Sequence, residues 1–193
     1  MSKTSPRFAF FVTPHGFGHA SRAAAVAESL TRRLPPCQFE FFTTVPKHHI
    51  AASVENFHYQ TLNCDVGMVQ TDALRADLPK TLQRLNSFLP FDPTEVQRLV
   101  DYLKRQCCIA VISDISPLGL QVARAAALPS VLIENFTWDW IYQGYALRHP
   151  QMGKHAAYLS SIFACADLHL QCQPICHTKS DGVLTSPVSR RFQ

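Results

Sequence analysis

Pro14-His15-Gly16-Phe17-Gly18-His19-Ala20-Ser21-Arg22 stands between two segments of different character. Before it, Phe8-Ala9-Phe10-Phe11-Val12 is a short, aromatic-rich apolar run, the pattern of a strand buried on both faces. After it, residues 22–34 are rich in Ala and Leu and carry no breaker. Ser21 is placed to cap that helix and Pro35-Pro36 to stop it. The segment therefore reads as the loop of a strand–loop–helix unit.

The same alternation recurs along the chain. Gln38–Thr44 predicts a second strand, Pro46 opens a short helix, and Phe57–Leu62 predicts a third strand. Asn63–Asp77 has no firm period and reads as a long functional loop. Leu78–Phe88 and Pro93–Gln106 predict helices, the second capped by Asp92. Cys108–Ser113 predicts a strand of the buried parallel type, Pro117–Ala127 a helix, and Ser130–Glu134 another strand. Phe136–Leu147 and Gly153–Ala166 predict helices, and Leu168–Gln171 a last short strand. Strands alternating with helices imply right-handed crossovers: a doubly wound α/β domain with a mostly parallel, Rossmann-like sheet. Ligands of such sheets sit at the C-terminal strand ends, where Pro14–Ser21, Asp114–Pro117 and Asn135–Asp139 are expected to converge.

With 193 residues the chain suits one α/β domain, and 47% hydrophobic with 17% charged residues is the composition of a globular protein. The net charge of +4 is spread along the chain, which argues against nucleic acid as a partner. No apolar run reaches the roughly 20 residues of a membrane span, and the N-terminus lacks the pattern of a signal peptide. A cytoplasmic protein is expected, consistent with seven cysteines lying mostly in apolar stretches. Cys172, Cys176 and His177, with His169 nearby, match no recognised zinc spacing, so no metal site is expected.

In the Gly-His loop, Gly16 and Gly18 let the backbone turn sharply and approach a ligand, and the helix start offers free N–H groups to an anion. His15 and His19 titrate near neutral pH. The motif is neither G-x-G-x-x-G nor a Lys-containing P-loop, which disfavours NAD and ATP. The same residues also make a plain helix-entry turn. Asp114 ends a buried strand, where a carboxylate can orient a neighbouring His as a general base or cap the next helix. Glu134-Asn135-Phe136-Thr137-Trp138-Asp139-Trp140 places amide, carboxylate and two indoles at another strand end, as a sugar platform or as core. Asp65, Asp72 and Asp77 either face the cleft or are solvated.

"TPHGFGHASR" followed by a helix resembles the GT-B-like N-terminal module that precedes the sugar-kinase domain of plant-type L-arabinokinases, and related bacterial proteins. The resemblance continues through "CDVGMVQTDALRADLPKTL", "VISDISPLGLQVARAAALPSVLIENFTWDWIY" and "PVSRR". More distantly, the loop is similar to that of the N-acetylglucosaminyltransferase of peptidoglycan synthesis, which receives the acceptor's phosphate there. The resemblance implies the N-terminal, acceptor-side half of a glycosyltransferase that moves a sugar from a nucleotide sugar to a hydroxyl. It places the Gly-His loop at Gly16, Gly18 and His19 and implies catalytic roles for His19 (or His15) and Asp114; His15, Gly16, Gly18, Ser21, Arg22, Asn135 and Asp139 are the candidate substrate-binding residues. The donor is a substrate, and no cofactor is implied.

Residues 1–193 are expected to form one such domain, with 172–193 an irregular tail or linker and the donor-binding domain absent. Activity is then expected only on completion by a second domain. A non-catalytic sugar- or nucleotide-sugar-sensing or interaction module and a nucleotide-sugar epimerase are the competing expectations.

Overall fold

The computed structural model describes residues 5–34, 36–178 and 183–185. Seven strands form one parallel sheet in the order β3-β2-β1-β6-β7-β8-β9. They are β1 (Arg7–Val12), β2 (Gln38–Thr43), β3 (Phe57–Thr61), β6 (Cys108–Asp114), β7 (Ser130–Glu134), β8 (Leu168–Cys172) and β9 (Val183–Thr185). The order runs outward from β1 in one direction and then from β6 in the other. The reversal between β1 and β6 is the switch point at which doubly wound sheets open a ligand crevice.

Alternation of side chains across β1 builds the two layers. Phe10 and Val12 point to one face, where they meet Phe39, Phe41 and Ile112 beneath Ala23, Ala24 and Ala27 of α1 (Phe17–Arg33). Small residues on that helix face let it lie close to the aromatic sheet. Ala9 and Phe11 point to the other face, which is covered by α4 (Pro93–Arg105), α5 (Pro117–Ala126) and α7 (Pro150–Phe163). Phe10 stacks on Phe41 at 4.8 Å and Phe11 on Phe42 at 4.4 Å, so the parallel pair β1–β2 is cemented on both faces. Each such fully buried ring contributes about 1.5–3 kcal/mol.

Helix starts follow the punctuation. Asp77 caps α3 (Leu78–Phe88) by accepting from the Lys80 amide at 2.9 Å, and Asp92 caps α4 by accepting from Thr94 at 2.8 Å. In α5 the capping oxygen is that of Ser116, which faces the Gly119 amide at 3.4 Å. Asp114 is therefore not the cap of α5, and its carboxylate is free for other partners.

The structure departs from the sequence expectations in four places. α1 begins at Phe17 with Gly16 as its N-cap, so Ser21 lies inside the helix and caps nothing. Gly18 and Ala20, expected in the loop, belong to the first turns of α1. Within the long loop, β4 (Gln70–Asp72) and β5 (Arg75–Ala76) pair as a small exposed hairpin. The helix expected over 136–147 is reduced to α6 (Trp138–Gln143), and α7 starts three residues early at Pro150 with His149 as N-cap. Finally, the tail expected to be irregular contributes β9, which pairs with β8 through Leu170 and Val183. Three residues are too few to show a period, which is why this strand is invisible in the sequence. Residues 186–193, including the "PVSRR" match, lie outside the described residues.

Candidate functional site

The register of β1 on β6 aligns Val12 with Asp114, so both strands end together at the switch point. Beyond Val12 the chain must turn into α1, and Gly16 makes that turn with φ 107°, a conformation only glycine adopts without strain. The Gly16 amide bonds Pro14 O at 2.9 Å, and no side chain caps the helix, whose first turn has no acid. The first-turn amides thus face the strand ends with their partial positive charge.

His19 and Arg22, three residues apart on α1, share one helix face and both reach Asp114. Arg22 grips the carboxylate with two bonds, Nε to Oδ2 at 2.7 Å and Nη2 to Oδ1 at 2.6 Å. Its remaining Nη1 donates to Asn135 Oδ1 at 3.2 Å, which ties the loop after β7 to the same cluster. Burial opposes the Arg22 charge, but the hydrogen bonds and charge of Asp114 outweigh it and move its pKa up.

His19 Nδ1 lies 2.8 Å from Asp114 Oδ1 and 3.2 Å from Arg22 Nη2. A guanidinium only donates and a carboxylate only accepts. The shorter contact therefore fixes Nδ1 as the protonated nitrogen, donating to Asp114, with Arg22 merely adjacent. Nε2 is left as the basic nitrogen. The side chain of His19 is 12% exposed and that of Asp114 1%, so the pair is nearly dry on the protein side and open toward one small cavity. This cavity, about 300 Å³, is bounded by His15, Gly16, Gly18, His19, Arg22 and Asn135, and by Cys172 and Pro174.

A second, larger cavity of about 820 Å³ lies on the other side of His15, between the long loop and α3. His15 is the wall between the two. Burial and the neighbouring His19 push its pKa below the usual imidazole range. The ring stands edge-on to Trp138 at 5.0 Å. Beneath it runs Gly67 with φ 62°, where a Cβ would come within 2.6 Å of His15 Nδ1. The loop bearing Gly67 is held from three directions. Ser116 donates to Cys64 O, Trp138 Nε1 to Asp65 at 2.9 Å and Tyr142 to Gly67 O at 2.7 Å. Asp65 is 4% exposed and its pKa is pushed up to about 6 by burial, against the opposing bond from Trp138.

Of the residues singled out in the sequence, His15, Gly16, Gly18, His19, Arg22, Asp114 and Asn135 come together here. Ser21 is exposed on α1 and lines neither cavity. Asp139, buried in the first turn of α6, lines a separate depression with Trp140 and His177. The two tryptophans divide: Trp138 is core and holds Asp65, while Trp140 is 39% exposed and stacks on His177. His169, considered above beside the cysteines, bonds the buried Glu134 at 2.9 Å. Sequence reasoning missed the cations of the larger cavity, Lys80 and Arg84, whose four-residue spacing on a capped helix was the available signal.

No protein-family model matches the chain. An L-arabinokinase of Arabidopsis thaliana is 29% identical over 143 residues, which cover 72% of this chain and 14% of that protein. Among solved structures, MurG of Acinetobacter baumannii aligns with a TM-score of 0.54 at 16% identity, over 97% of this chain and 47% of that one. LpCGTa in complex with UDP aligns at 0.60 and 15% identity, over 97% and 54%. A UDP-glucosyltransferase from Polygonum tinctorium aligns at 0.58 and 12% identity, over 100% and 54%. The chain thus has a Rossmann-like fold matching half of a GT-B glycosyltransferase. It spans about half the length of these structures and 14% of the arabinokinase. No helix among the described residues is long and apolar enough to cross a membrane.

Proposed function

We propose that the chain is the acceptor-side half of a glycosyltransferase that moves a sugar from a nucleotide-sugar donor to a hydroxyl. The observation that carries this reading is the 2.8 Å contact between His19 Nδ1 and Asp114 Oδ1, which leaves Nε2 as a base at the switch point of the sheet. In the step proposed, Nε2 takes the proton of the acceptor hydroxyl while its oxygen bonds to the anomeric carbon of the donor. The bond from that carbon to the nucleoside diphosphate breaks, and the leaving group departs with the electron pair. Asp114 holds the Nδ1–H tautomer and offsets the charge of the imidazolium as it forms.

Arg22 and Asn135 hold Asp114 in place, and the first-turn amides of α1 face the smaller cavity, where an anionic group of donor or acceptor is held. The larger cavity falls within the roughly 300–1,000 Å³ typical of small-ligand sites and takes the body of the acceptor. The nucleotide sugar is a substrate carried mainly by a second Rossmann-like half, and no resident cofactor or metal takes part.

The test is turnover with the chain joined to a donor-binding half. His19→Ala is expected to lower kcat by about 10²–10⁴, the usual loss for a general base, with the far-UV circular dichroism unchanged. Unaltered turnover would remove His19 from the mechanism. Acceptor binding without any turnover, in every pairing of donor and acceptor, would favour a sensing module instead.

A further inference from the structure

Two positive side chains project at the larger cavity and have no counterpart in the proposed chemistry. Lys80 and Arg84 sit four residues apart on α3, on one face of the helix, and both line the cavity. Neither forms an ion pair among the described residues. The acid nearest in sequence, Asp77, is committed to the Lys80 amide as the helix cap. The first turn of α3 holds no acid. Among the described residues lining the cavity, the one carboxylate is Asp65, and it is turned to Trp138. Like charges at this spacing cost a helix about 0.2–0.5 kcal/mol, and among the described residues no ion pair offsets them. Pro14, His15 and Thr44 line the same cavity.

We propose that the larger cavity binds an acceptor bearing a phosphate or carboxylate, with that anion between Lys80 and Arg84 and a hydroxyl directed past His15 toward His19. The inference rests on the acceptor-half reading and narrows it to anionic acceptors, such as sugar phosphates and sugar acids. Charge assistance makes the two cation–anion bonds stronger than neutral ones. They also fix which end of the acceptor lies deep in the cleft and which end meets the base.

The experiment is thermal denaturation of the 193-residue chain with glucose 6-phosphate, glucuronate or methyl glucoside, since a ligand of the native state raises Tm. At equal concentration the phosphate or the carboxylate sugar is expected to raise Tm and the neutral glycoside not, and the two anionic arms tell which anion is preferred. Lys80→Gln/Arg84→Gln is expected to weaken that binding by at least about tenfold, as loss of charged hydrogen bonds does. Lys80→Arg/Arg84→Lys retains it, and so does Arg105→Gln at the far end of α4. Circular dichroism checks that the variants fold.

Equal stabilisation by the neutral glycoside would overturn the anionic acceptor while leaving the acceptor-half reading standing. Anion binding unchanged in the double Gln variant would also overturn it, and would locate the anion elsewhere. Stabilisation by none of the three sugars would count against both.

Discussion

Arg22 holds both oxygens of Asp114, through Nε at 2.7 Å and Nη2 at 2.6 Å, so the carboxylate that orients His19 is already neutralised by a cation on the same helix. The dyad is thereby a triad of fixed geometry, with Asn135 fastening its outer side. Removing the cation strands a carboxylate that is 1% exposed. Arg22→Met is expected to lower the unfolding free energy by on the order of 3 kcal/mol, the cost of leaving a buried charge unpaired. Arg22→Lys recovers only part of this, because an ammonium cannot make the bidentate grip. Urea denaturation of the two variants checks the order.

The cap of α5 separates a structural from a chemical role for Asp114. Ser116→Ala is expected to cost about 1 kcal/mol, from the cap and from its bond to Cys64 O. Asp114→Asn leaves the α5 cap intact, but it weakens the bonds to Arg22 and His19 together. Amide hydrogen exchange distinguishes them: protection at the start of α5 falls in the Ser116 variant and not in the Asp114 variant.

Gly67 is expected to tolerate no side chain. At φ 62° a Cβ carries strain of about 1–2 kcal/mol, and it would stand 2.6 Å from His15 Nδ1. Gly67→Ala therefore lowers Tm and displaces the His15 ring from Trp138. The ring-current shift of the His15 protons against Trp138 reports the displacement in an NMR spectrum.

Asp65 gives stability a pH dependence of unusual sign for a carboxylate. Its folded pKa, about 6, lies above the ordinary aspartate value of 3.8, so between these the native state binds more protons than the unfolded state. Stability from this group is fully present below about pH 4 and is lost as the pH rises through about 6. The difference is on the order of 2–3 kcal/mol. Asp65→Asn keeps an acceptor for Trp138 and removes the titration. Relative to wild type, the variant is expected to gain stability from pH 4 to pH 7 in urea titrations. A constant difference across that range would show that Asp65 does not titrate there.

The fold was legible wherever a period or a breaker was long enough to read. Ser130–Glu134 and Leu78–Phe88 match their elements residue for residue, because a short apolar run and a helical run with no breaker past its first turn are local signals. Phe17–Ser21 was misread because two glycines look like a loop, whereas Gly16 makes the turn and Gly18 is an exposed helical residue. The meeting of His19 with Asp114, 95 residues away, followed from strand order plus an acid at a strand end. The grip of Arg22 did not, since a helix start gives no sign of which side chains face inward until the sheet is assembled. Asp65 was equally opaque, because its burial depends on Trp138, 73 residues later.

The central claim, that His19 Nε2 is the base facing the acceptor, is tested most directly by long-range ¹H–¹⁵N NMR of the His19 ring. The account predicts a proton on Nδ1 and a bare Nε2 in the free chain, with the Nε2 resonance shifting on addition of whichever sugar raises Tm. It also predicts that Asp114→Asn disturbs this tautomer. A proton on Nε2 in the free chain, or an Nε2 resonance indifferent to every bound sugar, would contradict it.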